Sequence, residues 1–166
     1  MSLRIATWNI NSIRMRIGTV KQFVDQSQID VLCLQETKAH NDVFPFDALR
    51  ELGFPHIHAV GMKAYNGTAI LSKVPITPIE VERLNKVQAS HHWVDAVRHF
   101  IPPERLLYTW WSYRAQDWEA ADKGRRLDHI WVTPSLQNEL AAAEVERNAR
   151  GWTLPSDHVP VIVTLK

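Results

Sequence analysis

The sequence predicts an α/β protein, and three observations carry that prediction. Apolar runs of strand length recur at Val31 to Leu34, Thr68 to Leu71 and Val159 to Val163, each bounded by polar or turn-forming residues. Between the first strand and the second, Ile13, Ile17, Val20 and Val24 repeat at i, i+4, i+7 and i+11, which is one face of a helix. The run Val31 to Leu34 is unbroken, as in a strand buried on both faces, and it ends abruptly in Gln35-Glu36-Thr37-Lys38. A carboxylate and an ammonium just past a buried strand sit at the rim of a sheet, where open α/β folds place their ligands. An ordinary polar loop leaving the core is the alternative.

Taken in order, Leu3 to Trp8 alternates like a first strand, with Asn9 and Asn11 following it. Ser12 is placed to cap the next helix. Arg14, Arg16 and Lys21 lie off its apolar face, as a solvated surface or as phosphate-tracking cations. A short helix is expected near Asp47 to Leu52, stopped by Gly53. His56 and His58, two apart, share a strand face without acidic or thiol partners nearby. Tyr65-Asn66-Gly67 reads as a turn. Thr77-Pro78-Ile79-Glu80 has the pattern of a capping box, with a helix following to about Val87. The adjacent His91 and His92 face different ways and make a poor metal pair. Tyr108 to Trp111 has strand propensity, and Leu127 to Val132 reads as another buried strand, carrying Asp128 and His129. The segment Ser135 to Glu146 fits helix or strand equally. Val159 to Val163 is the last strand.

A length of 166 residues gives one domain, 1–166, with enough chain to bury a core. The net charge of +1 spreads no global field, so any nucleic-acid site must be local. The single cysteine, Cys33, lies in an apolar strand and reads as a buried, unreactive thiol. No disulfide can form within the chain, which fits a cytoplasmic protein. Met1 to Arg4 runs straight into a strand, leaving no leader, and no apolar run is long enough to span a membrane. Of seven tryptophans, Trp93, Trp110, Trp111, Trp118 and Trp131 crowd one stretch, as a stacking or packing surface.

Asn9, Glu36, Asp128, Asp157 and His158 stand at the ends of, or within, apolar strands. Carboxylate and amide oxygens suit a hard cation such as Mg²⁺, which takes one or two protein carboxylates and keeps several waters. A histidine beside such a metal stabilises charge on a phosphate or moves a proton, and an acid bonded to it fixes its tautomer. Together they suggest metal-assisted phosphoester cleavage. Singly, each has a structural explanation: Asn9 caps a turn, Asp128 pairs with Arg125 or Arg126, and Asp157-His158 forms a turn before the last strand.

These residues also sit in recognisable blocks. Thr7-Trp8-Asn9-Ile10-Asn11-Ser12, Asp30 to Lys38, and Gly67 to Ser72 resemble the opening blocks of the exonuclease III family of apurinic/apyrimidinic endonucleases. Asp95 with Arg98-His99, Tyr108-Thr109-Trp110-Trp111, Gly124-Arg125-Arg126-Leu127-Asp128 and Ser156-Asp157-His158 resemble its closing blocks, in family order. The resemblance implies two mixed β-sheets packed face to face between helices, a four-layer α/β/β/α sandwich. It implies Mg²⁺- or Mn²⁺-dependent hydrolysis of double-stranded DNA at 3′ ends and abasic sites, by a monomer. By the same resemblance, Glu36 is the principal metal ligand, with Asn9 beside it and Asp157 in the acidic cluster. Lys38 tunes that cluster, Asp128 orients His158, and His158 contacts the scissile phosphate. Trp110, Trp111, Trp152, Lys38 and Arg125 are the candidates for contacting DNA; core packing is the alternative for each tryptophan.

The resemblance breaks in the middle. The family's Asn-x-Tyr-x-Pro strand and Gly-Asp-x-Asn motif are missing, and no Gly-Asp pair occurs anywhere in the chain. Ser72-Lys73-Val74-Pro75 runs on to Thr77-Pro78-Ile79-Glu80, which marks an internal deletion near 74–78 and leaves the sheets incomplete in the middle. The missing Tyr would contact phosphate, and the missing Asp and Asn would orient or deprotonate the attacking water. Loss of a positioned general base costs about 10²- to 10⁴-fold. Asp95 is no substitute, since it belongs to its own block. Two alternatives therefore stand beside the nuclease: a catalytically impaired DNA-binding remnant, and a small-molecule phosphoesterase on the same fold.

Overall fold

The computed structural model describes residues 2–61, 66–76, 92–115 and 117–166. Strand β1 (Leu3–Asn9) leads through helix α1 (Ile13–Ser27) to β2 (Val31–Gln35). Helix α2 (Phe46–Glu51), β3 (His56–Val60) and β4 (Thr68–Ser72) follow. The second half holds β5 (Val94–Asp95), β6 (Trp110–Trp111), α3 (Trp118–Ala121), β7 (Gly124–Arg125), β8 (Trp131–Val132), β9 (Leu140–Val145) and β10 (Val161–Leu165). A mixed six-stranded sheet runs β3-β4-β2-β1-β10-β9, and two two-stranded ribbons pair β5 with β8 and β6 with β7. The fold is thus mixed α/β, as the sequence predicts, with a large sheet, smaller sheets and few helices.

Period-two alternation divides the large sheet's side chains between two cores. On one face Ala6, Trp8, Leu32, Leu34, Ala69, Leu71 and Ile162 meet Ile13, Val20, Phe23 and Val24 of α1. Trp8 and Phe23 meet edge to face, with ring centroids 5.4 Å apart. This is the face that the α1 periodicity anticipates, and each fully buried Val, Leu, Ile or Phe on it contributes about 1.5–3 kcal/mol by leaving water. On the other face, Val161 and Val163 of β10 with Ala143 and Val145 of β9 pack against Ala96, Val97, Val94 of β5 and Val132 of β8. Over β1, β2 and β4 that second face is thinly covered by the described residues: Ile5, Val31, Cys33 and Ile70 are only half-buried. Cys33 is therefore not the fully buried thiol expected, although burial still raises its pKa.

Several local expectations change. Ser12 stands before α1, but its side chain makes no capping hydrogen bond, and its φ of 87° takes the backbone out of the usual cap conformation. The Leu127–Val132 run is mostly not strand. The backbone N–H groups of Leu127 and Asp128 donate to the Thr109 hydroxyl instead of a ladder, and Leu127 is half-exposed. The ambiguous segment near 135–146 divides into a 3₁₀ turn at Pro134–Glu139 and then β9. The capping box at Thr77–Glu80, the helix to Val87, His91 and the Tyr65 end of the turn lie outside the described residues.

Leu32→Ala should cost about 2–5 kcal/mol in urea unfolding, because the site lies in a closed core. Val60→Ala, on the open side of β3, should stay within about 0.5 kcal/mol of the parent.

Candidate active site

The parallel pairing of β1 with β2 places Asn9 opposite Gln35. Pairing does not stop at the strand ends. Ile10 N–H donates to the Gln35 carbonyl (3.0 Å), Ser12 to Glu36 (2.8 Å) and Ile13 to Thr37 (3.0 Å). From the other side Thr37 N–H reaches the Gly67 carbonyl (3.1 Å) and Lys38 N–H the Asn66 carbonyl (3.0 Å). Held in this way, Asn11, Ser12, Glu36 and Lys38 all adopt positive φ, between 49° and 87°. Non-glycine residues in that region cost of order 1–3 kcal/mol each and persist only where neighbours over-determine them. The result is one polar cluster. Asn9 Nδ2 donates to Glu36 Oε1 at 2.9 Å, and Lys38 Nζ lies 3.1 Å from Glu36 Oε2 and 2.6 Å from Asn11 Oδ1.

The C-terminal part of the chain supplies the other half. Ser156 donates its hydroxyl to the Asn9 carbonyl (2.6 Å) and accepts the His158 N–H (3.2 Å), while Trp8 Nε1 donates to the His158 carbonyl (3.0 Å). The 156–158 turn is thereby fastened to the end of β1. His158 Nδ1 lies 2.8 Å from Asp128 Oδ2, an oxygen that also accepts the Thr109 hydroxyl at 2.6 Å. Asp128 is buried, and its carboxylate fixes the imidazole with Nδ1 inward and Nε2 available. Asp157 receives Trp110 Nε1 (3.0 Å) and Asn11 Nδ2 (3.2 Å), so Asn11 links both acidic halves. Tyr113 adds its hydroxyl, which accepts from Asn11 Nδ2 (3.3 Å) and Arg16 Nη2 (3.2 Å) and donates to the Pro155 carbonyl (2.8 Å).

A cleft of about 370 Å³ opens beside this constellation, lined by Thr7, Asn9, Gln35, Leu127, Asp128, His129 and His158. On its flank Arg126 clamps Asp95 at 2.6 Å. Burial pushes the Asp95 carboxyl upward, but the Arg98 N–H, the Arg126 guanidinium and His129 more than offset it, and the group titrates below its ordinary value.

Each sequence candidate can now be placed. Asn9, Glu36 and Lys38 form one hydrogen-bonded group, His158 and Asp128 another, and Asp157 bridges toward the first through Asn11. Trp110 is half-buried, with the exposed Arg125 guanidinium 5.8 Å from its ring centroid. Trp111 is a correction: at 2% exposure it packs in a core with Ala149 and Val159, and its N–H bonds Asp122, so it offers DNA no face. Trp152 is half-buried and packs against two of the cores. Sequence reasoning missed Thr109, whose hydroxyl holds Asp128, and Tyr113; neither has a periodicity or spacing that marks it. Arg16, read as a solvated cation or a phosphate contact, instead reaches the Leu154 and Asn11 carbonyls and the Tyr113 hydroxyl.

The donor set is compatible with a hard cation, since Glu36, Asp157 and the Asn9 amide offer only oxygens to it. Among the described residues no three His, Cys, Asp or Glu side chains converge on one point.

A carboxylate-oriented histidine thus stands near oxygen donors at the strand ends of a mixed sheet. The chain belongs to the Endonuclease/Exonuclease/phosphatase family, whose profile matches residues 6–96. It is 32% identical over 71 residues to exodeoxyribonuclease III of Haemophilus influenzae, covering 43% of this chain and 26% of that protein. With the exodeoxyribonuclease of Bacillus subtilis it shares 38% identity over 71 residues, 42% of this chain and 25% of that one. The matched stretch therefore spans about a quarter of either relative. The fold is similar to that of a Neisseria 3′ phosphatase bound to a product DNA hairpin (TM-score 0.87, 21% identity, 99% of each chain covered). It is also similar to that of an AP endonuclease from Archaeoglobus fulgidus (TM-score 0.85, 22% identity, 99% of each chain covered).

The depressed Asp95 carboxyl gives a signed prediction. Its contribution to stability is present above the ordinary carboxylate value of about 4 and is lost as pH falls through the lowered one. Asp95→Asn should be less stable than the parent near neutral pH in urea unfolding. The gap should close as the pH is taken below about 4.

Proposed function

We propose that this chain is a divalent-metal-dependent DNA phosphodiester hydrolase of base-excision repair, acting as a 3′-5′ exonuclease and abasic-site endonuclease. In this reading it is a single-domain, cytoplasmic monomer that lacks an internal segment near 74–78. The observation that carries the reading is the meeting of the Asp128–His158 pair with the Asn9–Glu36–Lys38 cluster across the Ser156 tether.

Glu36, with Asn9 and Asp157, would hold Mg²⁺ or Mn²⁺. When bound, the ion polarises a phosphoryl oxygen and acidifies its water. His158, with Nδ1 bonded to Asp128, presents Nε2 to an oxygen of the scissile phosphate and offsets the charge that grows there. Lys38 neutralises part of the Glu36 charge, so an anionic strand can approach. Trp110 and Arg125 offer a ring and a guanidinium at the rim, suited to a base or an abasic sugar with its phosphate.

A second reading is favoured by one observation. No Gly-Asp pair occurs in the chain, and no described carboxylate stands free of partners to deprotonate water inside the cleft. This reading is a catalytically impaired DNA-binding remnant. Cleavage of an abasic-site duplex with Mg²⁺ decides between them. For the nuclease, the parent cleaves, Glu36→Ala and His158→Ala each lose about 10²- to 10⁴-fold, and chelation abolishes turnover. No cleavage by a folded parent that still binds DNA, more weakly as salt rises, would leave the remnant.

Thr109 supplies a further check. Thr109→Val removes the hydroxyl that holds Asp128 and should lower turnover about tenfold or more with little change in KM, whereas Thr109→Ser should retain most of it.

A further inference from the structure

Glu36 and Lys38 owe their geometry in part to a turn that is chemically reactive. Thr37 N–H donates to the Gly67 carbonyl (3.1 Å) and Lys38 N–H to the Asn66 carbonyl (3.0 Å). Asn66-Gly67 is the one Asn-Gly pair in the sequence. Asn66 is exposed, and Gly67 has a φ of 99°. Only glycine adopts that backbone without strain, so the turn demands a residue with no Cβ after the asparagine. The same lack of a Cβ leaves the Gly67 amide nitrogen open to the Asn66 side chain. Among the described residues, no hydrogen bond holds that side chain or takes up the Gly67 N–H. Asn11-Ser12 is the contrast. There the Asn11 amide is fixed by Asp157, Tyr113 and Lys38, and the Ser12 N–H by the Glu36 carbonyl.

We propose that Asn66-Gly67 is a self-modification site, and that its conversion to isoaspartate releases Glu36 and Lys38 from the rim. The Gly67 nitrogen gives its proton to a solvent base and attacks Asn66 Cγ. An N–Cγ bond forms, the Cγ–Nδ2 bond breaks, and Nδ2 takes a proton from water and leaves as ammonia. One water then opens the five-membered imide. Opening on one side gives aspartate in the original backbone. Opening on the other leads the main chain through Cβ and Cγ, one atom longer, and turns the old Asn66 carbonyl into a free carboxylate. That carbonyl is the acceptor of the Lys38 N–H, and the extra atom puts it out of step with the Gly67 carbonyl. Glu36 and Lys38, at φ of 49° and 50°, stay there only while their neighbours hold them. Relaxed, they no longer present their side chains to Asn9 and Asn11. That this weakens metal binding rests on the reading of Glu36 given above; the modification itself does not. The alternative is a turn so rigid that the nitrogen never reaches Cγ.

The full chain is aged in mildly alkaline buffer beside two variants, with circular dichroism confirming that all three fold. Asn66→Gln keeps an amide but closes its larger ring far more slowly. Asn66→Asp, used fresh, adds the charge without the backbone atom. Peptide mapping by mass spectrometry separates aspartate from isoaspartate, and hydrogen exchange reads the Thr37 and Lys38 amides. The aged parent should carry isoaspartate at 66 and lose protection at both amides by about tenfold, the size of one backbone hydrogen bond. Its Mn²⁺ affinity, read by electron paramagnetic resonance, should fall with them. Asn66→Gln aged alike should keep protection and affinity, and Asn66→Asp should keep the protection. No isoaspartate in the folded chain, over a time in which the urea-unfolded chain converts, overturns the modification. Isoaspartate with unchanged Thr37 and Lys38 protection overturns its coupling to the rim. A fresh parent that binds no Mn²⁺ removes the metal reading instead, and the exchange measurement alone then decides this inference.

Discussion

The site depends on one constraint, the parallel pairing of β1 with β2 and its continuation past both strand ends. Parallel neighbours emerge from the sheet on the same side, so whatever follows each strand is delivered to a common rim. Here the rim is not left to loop flexibility. Three backbone bonds carry the pairing on from Ile10 to Ile13, and two more tie Thr37 and Lys38 to Asn66 and Gly67. These bonds hold Glu36 and Lys38 at φ values of 49° and 50°, which side chains with a Cβ rarely adopt alone. The strain turns both side chains toward Asn9 and Asn11. Without the pairing, Glu36 would be one more acid in a polar loop.

The second half of the site reaches that rim by a different route. β10 runs antiparallel to β1, so the residues just before it, Ser156 to His158, arrive where β1 ends. The Ser156 hydroxyl and the Trp8 indole then set the turn against β1. Asp128 comes from a segment with almost no regular structure, and it is the Thr109 hydroxyl that positions it, by accepting two backbone N–H groups and donating to the carboxylate. A single side chain thus replaces a strand ladder as the device that places an acid behind His158.

This difference explains what the sequence made legible. The strands β1, β2, β4 and β10 and the helix α1 follow from apolar periodicity, because each buries a face against the same core. Glu36, Asn9, Asp157 and His158 were findable because they follow or precede those strands. Leu127 to Val132 misled, since its apolar residues look like a strand while Thr109 captures the backbone groups a ladder would need. Trp111 misled in the opposite sense. A tryptophan in a cluster reads equally as a stacking surface or as core, and only the neighbouring Ala149 and Val159 settle it as core. Tyr113 left no signal at all. Its position beside Asn11 is a product of the 112–115 turn and of Arg16 at the start of α1, which are far apart in sequence.

The two sources of the site also bear on the sheet face beneath the cleft. Both halves come from the ends of the chain, residues 9–38 and 109–158, and both are fastened to β1. Over β1, β2 and β4, one sheet face keeps Ile5, Val31, Cys33 and Ile70 half-buried among the described residues. The cleft of Thr7, Asn9 and Gln35 lies on that same face, by the alternation that sends Ala6, Trp8 and Leu34 to the opposite one. The cleft and the thinly covered sheet face are therefore one feature. The groups expected to hold a metal and to contact a phosphate stand together because the strand ends and the turn before β10 hold them.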